Sequence, residues 1–279
     1  MPHGSRRVGD VEIVALCDGI TESSNVLADS FPGVADWEPY REAFPDVFST
    51  DGTRWRFHVH AFLVRVGDLT VLVDSGVGPA GTPWPEWAGP GCGRILGELE
   101  AVGVRPEEVD VVVLTHVHDD HMGGFITAEG AIAFPNARHL MQRADFDLLH
   151  EDPEDEVYLE HVMRPLQAAG LLEFVEDGHP LAGGQTLLHT PGHTPGHQSL
   201  QIESAEERAI VAGDVLNHPG QVAERFPSGS DGDPELASDT RERVLSRVER
   251  EGILLSTAHL TEPFGRVELE DHRRVWRPF

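Results

Sequence analysis

Thr115-His-Val-His-Asp-Asp-His-Met-Gly-Gly124 sets four metal-binding side chains, His116, His118, Asp120 and His121, within six residues. The stretch follows directly on residues 111–114 (Val-Val-Val-Leu), an unbroken apolar run that reads as a buried strand. The ligating groups therefore ride a loop held by a rigid element, the usual location for chemistry. Imidazole and carboxylate suit Zn²⁺ and other first-row divalent ions. A single tetrahedral catalytic zinc takes three protein groups and a water. Four candidates in one loop, with more downstream, predict two metals sharing a site.

Further candidates lie just beyond other apolar runs. His193 stands in Thr-Pro-Gly-His-Thr-Pro-Gly-His, residues 190–197. Asp214 follows Ala-Ile-Val-Ala-Gly, a short buried-strand pattern ending in a tight turn, and His259 follows Ile-Leu-Leu-Ser-Thr-Ala in the same manner. Asp74, at the end of Val-Leu-Val-Asp-Ser-Gly, repeats the design and is placed to orient a ligand imidazole.

On these residues the chain resembles the metallo-β-lactamase superfamily, from about residue 11 to the C-terminus. The motif HxHxDH matches His116, His118, Asp120 and His121; the third His matches His193, the bridging Asp matches Asp214, and the last His matches His259. The resemblance implies an α/β fold, the four-layer αββα sandwich. It also implies two divalent ions per chain, the first held by His116, His118 and His193, the second by Asp120, His121 and His259, with Asp214 bridging. Zinc is the default occupant, with manganese, iron or cobalt also compatible. True β-lactamases of this fold lack the bridging Asp, and the flavodiiron branch carries Glu where this chain has His118. Residues 134–138 (Phe-Pro-Asn-Ala-Arg) and 213–219 (Gly-Asp-Val-Leu-Asn-His-Pro) are similar to the N-acyl-homoserine lactonase and methyl parathion hydrolase group.

The expected function is a dinuclear metal-dependent hydrolase that attacks an ester, lactone or phosphotriester through a metal-bridging hydroxide. Asp120 is both ligand and nearest carboxylate, suited to orient that hydroxide or carry a proton to the leaving group. Asn217 and His218, just after Asp214, are candidates for polarising a carbonyl or phosphoryl oxygen, with turn capping as the plainer role. The lactonases resembled carry a Tyr three residues after the bridging Asp, where this chain has Asn217. Its only tyrosines are Tyr40 and Tyr158. The alternatives are a glyoxalase II-like thioesterase and a non-catalytic metal-bound binding protein on the same fold.

Composition narrows the partners. All 21 basic residues are arginine, against 48 acidic ones, for a formal charge of -27. Such a surface repels nucleic-acid phosphates, so a small-molecule substrate is expected and nucleic acid is not. No apolar run approaches the ~20 residues that span a bilayer, and the N-terminus lacks the apolar core of a signal peptide. The expectation is a cytoplasmic protein without a membrane partner. Cys17 and Cys92 are too few for a disulfide framework.

Because the candidate ligands span residues 116–259, one site needs most of the chain folded together, and residues 1–279 are read as one domain. Strands are expected at 11–17, 58–66, 70–74, 111–114, 185–189, 198–202 and 209–212, and helices at 92–102, 143–150, 157–169 and 234–251, the last preceding a final buried strand. Two loop-rich insertions are expected over the site. Residues 21–57 hold Phe31, Trp37, Tyr40, Phe44, Phe48 and Trp55; residues 76–93 are rich in Gly and Pro and hold Trp84 and Trp87. These aromatics are suited to grip an apolar substrate, to pack the loops down, or to form a homodimer contact.

Overall fold

In the computed structural model, residues 4–82 and 88–279 are described. Two seven-stranded sheets face each other. The first runs β1 (Ser5–Val8), β2 (Val11–Val26), β3 (Arg54–Val66), β4 (Leu69–Val73), β5 (Val111–Val113), β6 (Arg138–Gln142) and β7 (Leu172–Val175) in that spatial order. β1 to β4 pair antiparallel and β4 to β7 parallel. The second runs β14 (Arg273–Pro278), β13 (Phe264–Glu270), β12 (Leu254–Ser256), β11 (Glu207–Val211), β10 (Gln198–Ser204), β9 (Gln185–His189) and β8 (His179–Pro180). Only β11 and β12 are parallel there.

The layers follow from the period-2 alternation of strand side chains. On β2, Ile13 and Ala15 point between the sheets, while Val14 and Leu16 point outward. β5 splits the same way, with Val111 and Val113 inward and Val112 outward. The outer face of the first sheet is covered by helix Ile95–Ala101 and by the helical segment 156–168. That of the second is covered by Val244, Leu245 and Val248 of helix Pro234–Glu251, packed on Ile210, Ala212 and Leu255. Strands buried on both faces read as continuous apolar runs, and the αββα order results.

Helix Pro234–Glu251 has the expected bounds. Asp233 caps its first turn by accepting from Leu236 N at 3.0 Å, and Gly252 ends it in the left-handed region at φ 63°. The expected helix at 157–169 is instead broken into Glu156–Tyr158, a π-helical turn Leu159–Met163 and Arg164–Ala168. Pro165 has no N–H for a regular bond, and the wider turn accommodates it. The strand expected to be last is followed by the β13–β14 hairpin. Its strands are rich in Arg and Glu, and its turn uses Asp271 and His272 at φ 47° and 64°, without the glycine that announces such turns.

The segment 21–57 is less loop-like than expected: β2 extends through Val26 and β3 begins at Arg54. Between them lie helices Leu27–Ser30 and Glu38–Ala43, and Phe31, Phe48, Trp55, Phe57 and Phe226 form an apolar cluster of their own. Of the segment 76–93, Pro83, Trp84, Pro85, Glu86 and Trp87 lie outside the described residues. No helix among the described residues is long and apolar enough to cross a membrane.

One buried carboxylate pins this second segment. Asp18 accepts from the backbone N–H groups of Val77 (3.0 Å), Gly93 (3.0 Å), Arg94 (2.7 Å) and Ile95 (3.1 Å). Removing it orphans the buried Ile95 donor and three part-buried ones, at about 1–3 kcal/mol for each that water does not reach. Asp18→Ala is therefore expected to lower unfolding free energy by at least about 3 kcal/mol in a denaturant titration, and an unchanged midpoint would rule out this anchoring.

Candidate metal centre

All seven side chains singled out in the sequence come together at one end of the inter-sheet layer. His116, His118 and His193 form one convergent set, Asp120, His121 and His259 a second, and Asp214 joins His116 and His121 in a third; within each, the donor atoms lie within 4.8 Å of one another. The fold delivers them from strand ends. His116 and His118 lie on the loop after β5, and Asp120 and His121 on the one-turn helix Asp119–Met122 that follows. His193 sits between β9 and β10, Asp214 just past β11, and His259 just past β12.

Two glycines permit the close approach. A Cβ on Gly124 would run into Ser75 O, so only glycine lets the turn after Met122 rest on the chain leaving β4. Gly213, at φ 52°, brings Asp214 beneath the 115–121 loop; a Cβ there would meet Thr115 Cβ and His197 Nε2, each at 2.9 Å.

Asp214 stands at the centre. Its Oδ2 lies 3.0 Å from His259 Nε2 and 3.3 Å from His193 Nε2, and its Oδ1 lies 3.3 Å from His121 Nε2. Asn217 Nδ2 donates to Oδ2 at 2.7 Å. His259 Nε2 is also 3.5 Å from Asp120 Oδ2, and His121 Nε2 is 3.6 Å from Asp120 Oδ1.

The donor set fits metal ions better than hydrogen bonds alone. His116 Nε2 and His193 Nε2 each face His118 Nδ1 at 3.0 Å, an arrangement of ring nitrogens that one central cation satisfies together. His121 Nε2 and Asp214 Oδ1 are buried without a hydrogen-bond partner. Orphaned buried polar atoms are rare and call for an explanation, and a shared ion supplies it.

Electrostatics divide the imidazoles. Burial, reinforced by the neighbouring rings, presses His116 well below the ordinary imidazole value, and burial with the His193 ring takes His118 down to about 3. Burial acts the same way on His121, but Asp120, Asp214 and Asp74 outweigh it and hold that ring well above its ordinary value. In His259 burial is outweighed by Asp214. Burial would raise the Asp214 carboxyl, but His259 and His121 pull it well below the usual range. In the metal-free chain, the stabilisation from the raised imidazoles is present below about 6.5 and lost as pH rises through their folded values. That from Asp214 is present above its ordinary value and lost as pH falls. Metal ions replace the same protons, so loading strengthens as pH rises.

Around the seven lies a set of orienting groups. Asp74 accepts from Thr115 N and Thr115 Oγ1 and holds His121 Nδ1, each at 2.8 Å. Its backbone is at φ 63°, a conformation costly for a non-glycine residue and typical of functional sites. His259 Nδ1 donates to His58 O at 2.8 Å. His197 accepts from Asp214 N through Nε2 at 3.1 Å, with its Nδ1 on Thr190 Oγ1.

Two buried carboxylates escaped the sequence reading. Asp231 holds His193 Nδ1 at 3.0 Å, and its other oxygen meets Arg241 Nη2 at 3.4 Å. Asp145 accepts from Val117 N, Thr194 Oγ1 and Gly196 N, tying the His118 loop to the His193 loop. The Asp231 loop, Pro-Ser-Gly-Ser-Asp-Gly-Asp at 227–233, reads as a flexible connection, and nothing in its composition separates Asp231 from Asp233.

His218 takes the capping role. Its Nδ1 accepts from Gly220 N at 3.0 Å, and its ring sits in a cage of Phe31, Trp37, Tyr40, Phe44, Phe48 and Phe226, with centroids 5.1–6.2 Å away. Burial presses it to about 3. The aromatics of the first insertion thus mostly pack on one another and on His218, while Trp55 and Phe57 present ring edges to His259 at 5.6 and 5.1 Å. Tyr40 OH is committed to Glu224 at 2.6 Å. Tyr158 OH reaches Asp119 Oδ2 at 3.4 Å, beside Asp120.

The sequence profile of the metallo-beta-lactamase superfamily matches residues 54–259, a stretch that contains all seven residues. The chain belongs to the metallo-beta-lactamase superfamily. Among curated relatives of this superfamily member, an N-acyl homoserine lactonase from a Bacillus species is 31% identical over 166 residues, covering 60% of this chain and 62% of the relative. N-acyl homoserine lactonase AttM from Rhizobium radiobacter is 28% identical over 182 residues, 58% of this chain and 65% of the relative. The chain thus matches less than two thirds of the length of these relatives. The crystal structure of the hydrolase AbOPH, of the beta lactamase superfamily, superposes with a TM-score of 0.84 at 26% identity, covering 99% of this chain and 97% of that one. AidC, a dizinc quorum-quenching lactonase, shares the fold with a TM-score of 0.79 at 21% identity, again over 99% and 97%.

Outer hydrogen bonds to ligand imidazoles typically contribute 10- to 100-fold in metal affinity. Asp231→Ala, which leaves all seven donors in place, is expected to weaken metal binding by about that factor in a competitive chelator titration. Unaltered affinity would mean that His193 does not depend on Asp231 for its orientation.

Proposed function

We propose that this chain is a dinuclear metal hydrolase that opens lactones and, by the same chemistry, cleaves esters of small molecules. The observation that carries the reading is the convergence of two three-residue sets around the buried carboxylate of Asp214. The names of its lactonase relatives favour the lactone as substrate. His116, His118 and His193 would hold one ion and Asp120, His121 and His259 the other, with Asp214 between; zinc is favoured by the nitrogen-rich donor set. Two such ions supply Lewis acidity toward the carbonyl oxygen and a water made nucleophilic near neutral pH.

The chain's own residues do the rest. Asp120 faces both His121 and His259, so its carboxylate is placed to orient the attacking water and to take up its proton. Asp74, Asp231 and the His58 carbonyl fix the ring orientations, so that little reorganisation accompanies reaction. Trp55 and Phe57, buried in their own cluster, pack their rings against His259 and hold it from the side.

An alkoxide leaving group needs a proton, and we assign its delivery to Tyr158, whose hydroxyl lies 3.4 Å from Asp119 Oδ2, one residue before Asp120. Burial and the nearby carboxylates Asp119 and Asp120 push its phenol above the ordinary value, so the O–H is intact at neutral pH. Tyr158 thus takes the part that Asn217, three residues after Asp214, does not supply.

The test is turnover of an N-acyl-homoserine lactone, a p-nitrophenyl ester and an aryl phosphotriester on protein of measured metal content. Lactone turnover by protein holding two ions per chain, with activity and metal content falling together in acid, is the expected result. Two ions and no turnover of any of the three would overturn the proposal. Tyr158→Phe is expected to slow the lactone by about 100-fold while leaving the p-nitrophenyl ester, whose leaving group needs no acid, nearly unchanged. Equal losses on both substrates would remove Tyr158 from proton delivery.

A further inference from the structure

A second convergence of metal-binding groups lies on the first sheet, apart from the seven. Cys17 on β2 and His60 on β3 are directly opposed in the antiparallel register, so their side chains leave the sheet on the same face. The irregularity between Cys17 and Gly19 then shifts the pairing so that His58 stands opposite Ile20. His58 and His60, two residues apart on one strand, stack with centroids 5.3 Å apart and ring planes 7° from parallel. One donor atom from each of Cys17, His58 and His60 lies within 4.8 Å of the other two.

The sulfur–nitrogen spacing matches a coordination shell, and one of the two parallel rings has to rotate for both lone pairs to meet a single ion. His58 Nδ1 is 3.8 Å from Cys17 Sγ. A tetrahedral ion with ordinary zinc–sulfur and zinc–nitrogen bonds sets that separation at about 3.6 Å. His60 Nδ1 meets the Ala258 carbonyl at 3.0 Å, the outer hydrogen bond that metal-bound imidazoles usually make, and Nε2 is left as the ligating atom. His58 and His60 are buried, at 2% and 5% exposure, while Cys17 is half-buried. The site thus has closed walls and one open side.

We propose that Cys17, His58 and His60 form a third, mononuclear site for a borderline-soft divalent ion of the zinc type, with water as the fourth ligand on the open side of Cys17. One thiolate and two imidazoles select against calcium and magnesium, which take oxygen donors. Binding exchanges the Cys17 S–H bond for a sulfur–metal bond and releases the thiol proton to solvent. Arg94 Nη2, 3.9 Å from Sγ, remains as a donor to the coordinated sulfur. With three protein ligands and a water the site keeps an open position, and its effect on the fold is local. It ties β2 to β3 at the residue whose carbonyl receives His259 Nδ1 at 2.8 Å, so filling it stiffens the strand that orients His259.

Cobalt separates this site from the other. The seven residues offer only nitrogen and oxygen, whereas a thiolate ligand to Co²⁺ adds an intense near-ultraviolet charge-transfer absorption. Metal-stripped protein titrated with Co²⁺ is expected to bind three equivalents, one of which brings that absorption. Cys17→Ser should lose the absorption and one equivalent while retaining the other two. Saturation without a charge-transfer band, or a band that survives Cys17→Ser, would overturn the proposal whether or not the seven-residue cluster binds its two ions. As a check that needs no variant, alkylation of Cys17 by iodoacetamide is followed by mass spectrometry on the folded protein. Protection by Co²⁺ is expected, and an alkylation rate independent of Co²⁺ would count against the site.

Discussion

A buried carboxylate surrounded by imidazoles constrains everything else in this molecule. Asp214 is 4% exposed and faces His121, His193 and His259 within 3.3 Å. Moving an ion of that size out of water costs several kcal/mol even after relaxation, and it persists only where compensating charge is fixed around it. The two sheets provide that fixation: β5, β9, β11 and β12 all end at the same edge of the sandwich, so four loops arrive from rigid elements. A ligand misplaced by an ångström would leave a buried charge uncompensated. The glycines at 124 and 213, where a Cβ would strike the neighbouring loop, are the steric consequence of that requirement.

The orienting groups extend the same logic outward. Three of the five rings in the cluster are fixed from behind: His121 by Asp74, His193 by Asp231, His259 by the His58 carbonyl. Asp74 shows how strictly the arrangement is imposed, because it keeps a left-handed backbone in order to serve Thr115 and His121 together. Surrounding structure has to over-determine such a residue for it to persist, and β5 with the buried Val71–Val73 end of β4 does so.

What was legible in the sequence was whatever short-range pattern dictates. Apolar runs mark β4, β5, β11 and β12, and polar residues immediately past each run name Asp74, His116, Asp214 and His259. Helix Pro234–Glu251 was legible because Asp, Pro and Gly punctuate its ends. What escaped depends on long-range packing. Asp231 looks like any loop aspartate until helix Pro234–Glu251 brings Arg241 against it, and Asp145 looks like an ordinary helical residue until two ligand loops descend on it. His218 sits near Asp214 in sequence, yet the aromatic segment before β3 folds over it and gives it a capping bond instead. The β13–β14 hairpin was hidden because charged strands with a glycine-free turn carry little local signal.

The arginine-only basic complement acquires a structural meaning at Arg241. This side chain is 3% exposed, and its guanidinium donates to Val215 O at 2.7 Å, to Phe226 O at 3.2 Å and to Asp231 at 3.4 Å. Burial lowers its pKa, with Asp231 acting against that trend, and a guanidinium keeps its charge where a buried ammonium would readily lose it. Three acceptors in three directions match a planar fork of donors and not a compact point charge. The chain that runs from Val215, next to Asp214, through Arg241 and Asp231 to His193 therefore closes a loop back onto the centre. Charge on that path is held by geometry specific to arginine, which makes the guanidinium part of how the metal centre is built.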